Sequence, residues 1–389
     1  MAACSDWSSL GKNYEGPGIC PVYVVAGDGS TCIRKTNGSL YCWGDNRFAE
    51  LGTGDTVKRP IPERVNTFAE AVSKIYLPSG EGDITTDVGV FGCAILTDSS
   101  LWCWGDNRFG QLGLGSTEPQ LLPTAVLDLP SNIAKAAIGS GHSCAETVSG
   151  DLYCWGRNQT GQLGLGNMDA QMRPVQVPLH GFTVDKLSAG GGYSCVRAPE
   201  GTLWCWGANQ YGQLGLGDTT LRTQPIQVSA LGTNVGRFST GATHSCAITQ
   251  DGTVWCWGDN RYGQLGVGDL QQRSTPTQID PTSLGSVTQV LLGGRHSCAL
   301  KENGSLWCWG ENRFGQLGTG DVDSRLTPVQ VAPLILGSDV TVAYAGGAHT
   351  CAIKSDGSVY CWGNNQYGQL GVVSVRVSTE PLRVLPPCE

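Results

Sequence analysis

Seven times the chain spells Cys-Trp-Gly, at Cys42, Cys103, Cys154, Cys205, Cys256, Cys308 and Cys361, at intervals of 61, 51, 51, 51, 52 and 53 residues. A second cysteine stands ten residues before each: Cys32, Cys93, Cys144, Cys195, Cys246, Cys298 and Cys351. A fixed period of this size means one supersecondary unit copied along the chain, each copy burying its apolar faces against its neighbours. A 389-residue chain would otherwise suggest two or three domains. The repeat replaces that prior with a single ring or stack over residues 20–389, preceded by an N-terminal segment, residues 1–19.

Each unit has the punctuation of a four-stranded antiparallel sheet, strands a to d. In the sixth, Val287–Val290, Gly294–Leu300, Ser305–Gly310 and Pro328–Val331 are β-prone runs separated by Gly, Asn and Pro. Asn303-Gly304 marks a tight hairpin between strands b and c, as do Asn37-Gly38, Asp251-Gly252 and Asp356-Gly357. That loop sets Cys298 opposite Cys308, and opposed residues of an antiparallel pair lie close enough for sulfur to bridge them. The spacing therefore predicts one disulfide per unit: Cys32–Cys42, Cys93–Cys103, Cys144–Cys154, Cys195–Cys205, Cys246–Cys256, Cys298–Cys308 and Cys351–Cys361. Metal binding is the rival for these cysteines, but no CxxC knuckle is present. Free core thiols are the other.

Strand c alternates, with Trp102 and Trp104 on one face and Cys103 on the other. Both faces then need covering, and the next sheet is the natural cover, indole against disulfide. Four-stranded sheets stacked radially in this way form a seven-bladed β-propeller, an all-β fold. At the seam of such a ring Cys20 and Cys388 meet, and a Cys20–Cys388 bond would lock it. Cys4 is then the seventeenth cysteine.

Seventeen cysteines in regular pairs argue for an oxidising compartment: extracellular, periplasmic or the cell surface. Met1–Leu10 lacks the basic and apolar regions of a signal peptide, so the expectation is a trimmed signal with Met1 as an expression start. Ala2-Ala3-Cys4 also matches the tail of a lipoprotein cleavage site, which would make Cys4 a lipid anchor. Apolar runs stay below the roughly 18 residues of a membrane span. A net charge of −8 without a Lys/Arg run speaks against nucleic-acid binding.

Units of the form G-x-x-H-S-C-A…N/D-G-S-L-x-C-W-G-x-N-x-[FY]-G-Q-L-G resemble repeats of the regulator of chromosome condensation family over about residues 21–385. Gly310–Gly318 and Trp206–Gly215 carry the resemblance most fully. It implies the seven-bladed propeller. The family includes a chromatin-bound exchange factor for a small GTPase, a plant UV-B photoreceptor, a secreted β-lactamase inhibitor and many bacterial surface proteins, and the cysteine-paired units look most like the last. The photoreceptor's Trp two residues before His is replaced here by Ser140, Ala242, Gly294 and Gly347, which disfavours photoreception. The exchange factor's wedge and basic tail have no convincing counterpart. The inhibitor lacks paired cysteines, so that analogy reaches only fold and mode of action.

The a–b and c–d loops share one face. The a–b loops carry His142, His244, His296 and His349, with Tyr193, Phe91 and Ser30 in the equivalent places. The c–d loops carry Asn46, Asn107, Asn158, Asn209, Asn260, Asn312 and Asn365, expected to hold tight turns. Four units add Asp55/Arg59, Asp218/Arg222, Asp269/Arg273 and Asp321/Arg325, expected to brace those loops or link blades. Ring-repeated residues read first as architecture, with partner or metal contact as the functional alternative. The symmetry breaks at Pro78–Asp87, ten extra residues in an a–b loop. Such insertions commonly carry recognition, although a tolerated insertion is the plain alternative. Glu81, Asp83 and Asp87 there are also close enough for a weak Ca²⁺ site.

No phosphate-binding loop, G-x-S-x-G elbow or H-E-x-x-H motif occurs. Acids and histidines repeat around the ring rather than clustering, and His180 stands alone off the pattern. The expectation is a monomeric, non-catalytic module without cofactor or bound metal. It would bind a partner protein through one annular face, with Ser79, Glu81, Asp83, Asp87, His142, Tyr193, His244, His296 and His349 as candidate contacts. Guanine-nucleotide exchange on a small GTPase and inhibition of a secreted enzyme are the alternatives, and a propeller hydrolase or lyase a third reading.

Overall fold

The computed structural model describes residues 19–78, 80, 90–179 and 181–385. They form a seven-bladed β-propeller. Blade I consists of Pro21–Ala26, Ser30–Lys35, Leu40–Gly44 and Arg59–Arg64 as strands a to d. Blades II to VII span 72–125, 133–176, 186–227, 235–278, 287–330 and 340–385. Every blade is an antiparallel sheet in the order a-b-c-d, and among the described residues each sheet is built from four consecutive strands.

The b–c hairpin sets the register. Gly304 turns at φ +78°, and Gly38, Gly252 and Gly357 do the same within a few degrees. In blade II the residue at this position is Ser99, at φ 66°. The register that follows pairs Cys298 with Cys308 and places the equivalent cysteines opposite one another in every blade. All seven predicted disulfides form, with Cα atoms 4.1–4.2 Å apart.

The expected packing of indole on disulfide occurs at all seven seams. Trp104 packs on Cys32 and Cys42, Trp155 on Cys93 and Cys103, and Trp206 on Cys144 and Cys154. Trp257, Trp309 and Trp362 continue the series. Trp43 closes it, lying with Cys351 and Cys361 in the cluster that joins blade VII to blade I. The seven indoles are completely buried. Each Nε1–H donates to a backbone carbonyl in the c–d loop of the preceding blade, from Trp43 to Gln369 (2.9 Å) round to Trp362 to Gln316 (3.0 Å). Face packing and these bonds close the ring. Cys20 is disulfide-bonded; its expected partner Cys388 lies outside the described residues, as do Cys4 and His180.

Each disulfide closes a loop of ten residues, which corresponds to roughly 2.5–3 kcal/mol in the chain-entropy account. Replacing Cys298 and Cys308 together by Ser should lower unfolding free energy by about that amount. Peptide mapping of the alkylated, unreduced wild type should find all fourteen blade cysteines protected. Modified blade cysteines, or bonds between different blades, would contradict the fold described.

Candidate partner-binding face

The c–d loops begin where strand c ends, so the sequence motif that follows Cys-Trp-Gly builds one face of the ring. Its Asn fastens the loop. The Asn46 Nδ2 donates to the carbonyls of Asp55 (3.0 Å) and Val57 (3.1 Å), while Oδ1 accepts from the Leu51 N–H (3.0 Å). Asn107, Asn158, Asn209, Asn260 and Asn312 make the same reach of nine and eleven residues. Asn365, in the last and irregular loop, reaches Val372 and Val375 instead. The turn role expected of these asparagines is what they perform.

The Asp/Arg sets brace the same loops. Asp55–Arg59, Asp218–Arg222, Asp269–Arg273 and Asp321–Arg325 pair at 2.5–2.7 Å within their own blades. Each Asp also accepts from the loop Asn, at 3.1–3.2 Å. Their carboxylates are 37–43% exposed, so each pair contributes about 1 kcal/mol or less.

With its loops fixed, the face presents alternating guanidinium groups and aromatic rings. Arg47 stacks on Tyr367 of the preceding blade, Arg108 on Phe48, Arg157 on Phe109, Arg261 on Tyr211 and Arg295 on Tyr262, with 4.7–5.2 Å from guanidinium carbon to ring centre. Arg313 lies over Phe314 of its own blade at 4.7 Å. Buried acids aim four of these arginines: Asp45 holds Arg47, Asp106 Arg108, Asp259 Arg261 and Glu311 Arg313. Burial pushes the Asp259 carboxyl up, but the Arg261 guanidinium and backbone N–H outweigh it and leave the pKa below its ordinary value. The four arginine side chains are still 43–58% exposed. The cross-blade stacking is interrupted between blades III and IV, where Thr160 and Gln210 stand in place of an aromatic ring and an arginine, and between VI and VII, where Gln366 replaces the arginine.

The proposed contacts at the head of strand b lie elsewhere. His142, His244, His296, His349 and Tyr193 are completely buried, which removes them from any surface a partner can touch. Each histidine Nε2 meets a hydroxyl of the next blade: His142 with Ser194 (2.9 Å), His244 with Ser297 (2.8 Å), His296 with Thr350 (2.9 Å) and His349 with Thr31 (2.8 Å). Each hydroxyl donates onward to a Gln carbonyl of the preceding blade, 162, 264, 316 or 369. The hydroxyl therefore accepts from the imidazole, which fixes the Nε2–H tautomer. Tyr193 does the same work from its ring hydroxyl, which donates to the His244 carbonyl (2.6 Å) and meets Ser245 (2.9 Å). These residues bond across blades rather than to the backbone of their own loops. Ser79, Glu81, Asp83 and Asp87 lie outside the described residues; Pro78 and Val90, described on either side of them, stand on the collar face of blade II.

The collar was missed in the sequence, although its signal was there. Arg47-Phe48, Arg108-Phe109, Arg261-Tyr262 and Arg313-Phe314 follow the loop Asn in four units. What sequence spacing does not reveal is that an arginine reaches the ring of the blade before it. Among the described residues, no group of three or more His, Cys, Asp or Glu is placed to hold a metal ion.

Comparison with known proteins agrees with this architecture. Residues 88–387 match the RCC1-like domain, and residues 22–49 and 37–76 match the regulator of chromosome condensation (RCC1) repeat. The chain belongs to the RCC1-like family. It is 32% identical to the ultraviolet-B receptor UVR8 of Arabidopsis thaliana over 90% of this chain and 79% of that protein. It is 34% identical to the human E3 ubiquitin-protein ligase HERC2 over 88% of this chain, a match that spans only 7% of HERC2. Among solved structures, Prp20p of Saccharomyces cerevisiae superposes with a TM-score of 0.77 at 20% identity, over 99% of this chain and 89% of that one. At that identity the likeness is one of fold.

One loop breaks the rule and makes a pH-dependent prediction. Six blades carry Gln where blade I carries Glu50, whose side chain is fully buried with Oε1 unpartnered among the described residues. Burial first, and Asp45 second, push the Glu50 pKa up to about 8. The folded state therefore holds a proton that the unfolded state gives up above the ordinary carboxylate range, and stability falls as pH rises toward that value. Glu50→Gln should stabilise the protein by roughly 3 kcal/mol near pH 7, an advantage that fades near pH 4.5. The histidines run the other way. Burial holds His244 near pKa 4 and the other three near 3, so unfolded chains take up protons below about pH 6.5 that the folded state refuses. His244→Gln should be less stable at neutral pH, yet lose stability less steeply on acidification, by about 1.4 kcal/mol per pH unit. Denaturant titrations across that range check both.

Proposed function

We propose that this protein is a non-catalytic interaction module of an oxidising compartment, secreted or surface-attached, that binds a partner protein through its collar face. The single observation carrying this reading is the ring of half-exposed arginines held on aromatic rings by buried carboxylates. Arginine and aromatic residues dominate the binding energy of protein interfaces. Here they are oriented before any partner arrives, which lowers the entropy cost of binding. The seven disulfides support the compartment. Among the described residues, no helix is long and apolar enough to cross a membrane. The 78–87 insertion, entering from the same face, is proposed as a second recognition element.

Two other readings remain tied to the family. Guanine-nucleotide exchange would place the protein in the reducing cytosol, where fourteen paired cysteines are out of keeping. Inhibition of a secreted enzyme is a special case of the main reading, with the enzyme as partner. The bacterial-surface character suggested by the cysteine pairs belongs to the same proposal.

Affinity capture from secreted and cell-surface protein fractions, with cross-link mapping, tests the collar. Arg108→Ala combined with Arg261→Ala should weaken the captured partner at least about tenfold, since two truncated anchors cost upwards of ~1.4 kcal/mol. Glu302→Ala, in the b–c turn on the opposite face, should leave capture unchanged. Equal capture by the collar variant, with cross-links away from the c–d loops, would remove the collar from the account.

A further inference from the structure

The axial channel of the propeller is not chemically symmetric. A cavity of about 460 Å³ lies along it, lined by strand a of all seven blades. Two residues before the position paired with the first cysteine of each blade, strand a carries Tyr23, Lys74, Lys135, Lys186, Arg237, Gln289 and Val342 in order around the ring. Four consecutive blades thus carry a cation at this position, and two of the four, Lys186 and Arg237, line the cavity itself. Across the cavity from Lys186 and Arg237, blades VII, I and II supply Tyr344, Tyr23 and Tyr76.

Each cation is held by the backbone of the following blade. The Lys74 Nζ donates to the Ala134 carbonyl (2.6 Å), Lys135 to Asp185 (2.6 Å), Lys186 to Gly236 (3.3 Å) and the Arg237 guanidinium to Thr288 (2.6 Å). Neutralisation is incomplete. Lys135 is paired with Glu146 and the nearby Arg197 with Asp185, so among the described residues five cations face two carboxylates. Burial, then the neighbouring cations, lower the pKa of Lys74 and of Lys186, as expected for positive groups crowded together. Yet the chain as a whole carries a net charge of −8. An uncompensated positive arc inside a concave channel focuses an attractive field for anions. A cavity of this size suits a small organic molecule.

We propose that the channel is a binding site for a small organic anion bearing phosphate or clustered carboxylate groups. Its charged end would lie against Lys186 and Arg237, and its remainder against Tyr23, Tyr76 and Tyr344. The cavity runs along strand a, from Lys186 at the start of one strand to Tyr76 at the end of another, and is independent of the partner-binding reading.

Titration calorimetry of the intact, oxidised protein with pyrophosphate, citrate and, as a neutral control, glucose tests it. Saturable binding of pyrophosphate or citrate is expected, weakening as salt is raised, with no response to glucose; the two anions separate phosphate from carboxylate preference. Lys186→Gln combined with Arg237→Gln should weaken binding at least tenfold. Gln289→Lys, which extends the arc by one cation, should strengthen it, so the outcome does not rest on loss alone. Arg313→Gln, on the collar face, should bind as wild type does. Circular dichroism and a thiol count confirm that each variant is folded. No binding of either anion at millimolar concentration, equal binding of glucose, or binding indifferent to the channel substitutions would overturn the proposal.

Discussion

The indole of each strand c tryptophan meets two needs at one seam, and the ring depends on it. Its flat face covers the disulfide of the neighbouring blade, and its N–H satisfies a carbonyl of that blade's c–d loop. A buried amide carbonyl left unpaired costs more than a hydrogen bond adds, so the contact fixes not only that two blades touch but at what height and rotation. Repeated seven times, it leaves no blade free to slide. The disulfide in turn keeps strands b and c in register, so that the surface offered to the next indole is always the same one.

A second layer reinforces this, but not at every seam. The histidine or tyrosine relay ties blades III to IV, IV to V, V to VI, VI to VII and VII to I. Blades I and II carry Ser30 and Phe91 in that place, so the two seams of blade II lack the relay. Those seams keep their collar contacts, Arg108 on Phe48 and Arg157 on Phe109, and blade II bears the long a–b insertion. Blade II thus departs from the repeat both in its seams and in its a–b loop. This is where a scaffold built for uniformity can carry something specific.

The scaffold explains how function can sit on its surfaces. Buried asparagines hold the c–d loops, and buried carboxylates aim the arginines, so the exposed groups of the collar are braced from beneath. On the channel side, strand a is the innermost strand of each blade. A substitution there changes the lining without touching the seams, which lets one part of the lining become cationic and another aromatic while the seven-fold frame stays intact.

The amino-acid sequence by itself determined the number of blades, the four-strand unit, the disulfide pairing and the indole-on-sulfur packing. All of these follow from spacing within one copy or between adjacent copies, where distance along the chain maps directly onto distance in space. Tertiary structure alone decided the rest. The histidines read from the sequence as loop residues proved to be buried ties between blades, because their partners stand some fifty residues away in the next copy, and His349 finds its partner Thr31 only once the ring has closed. The collar and the cationic arc were equally hidden. Arg47 and Tyr367, or Lys74 and Arg237, share a surface only through the curvature of the ring, and no local pattern encodes that curvature.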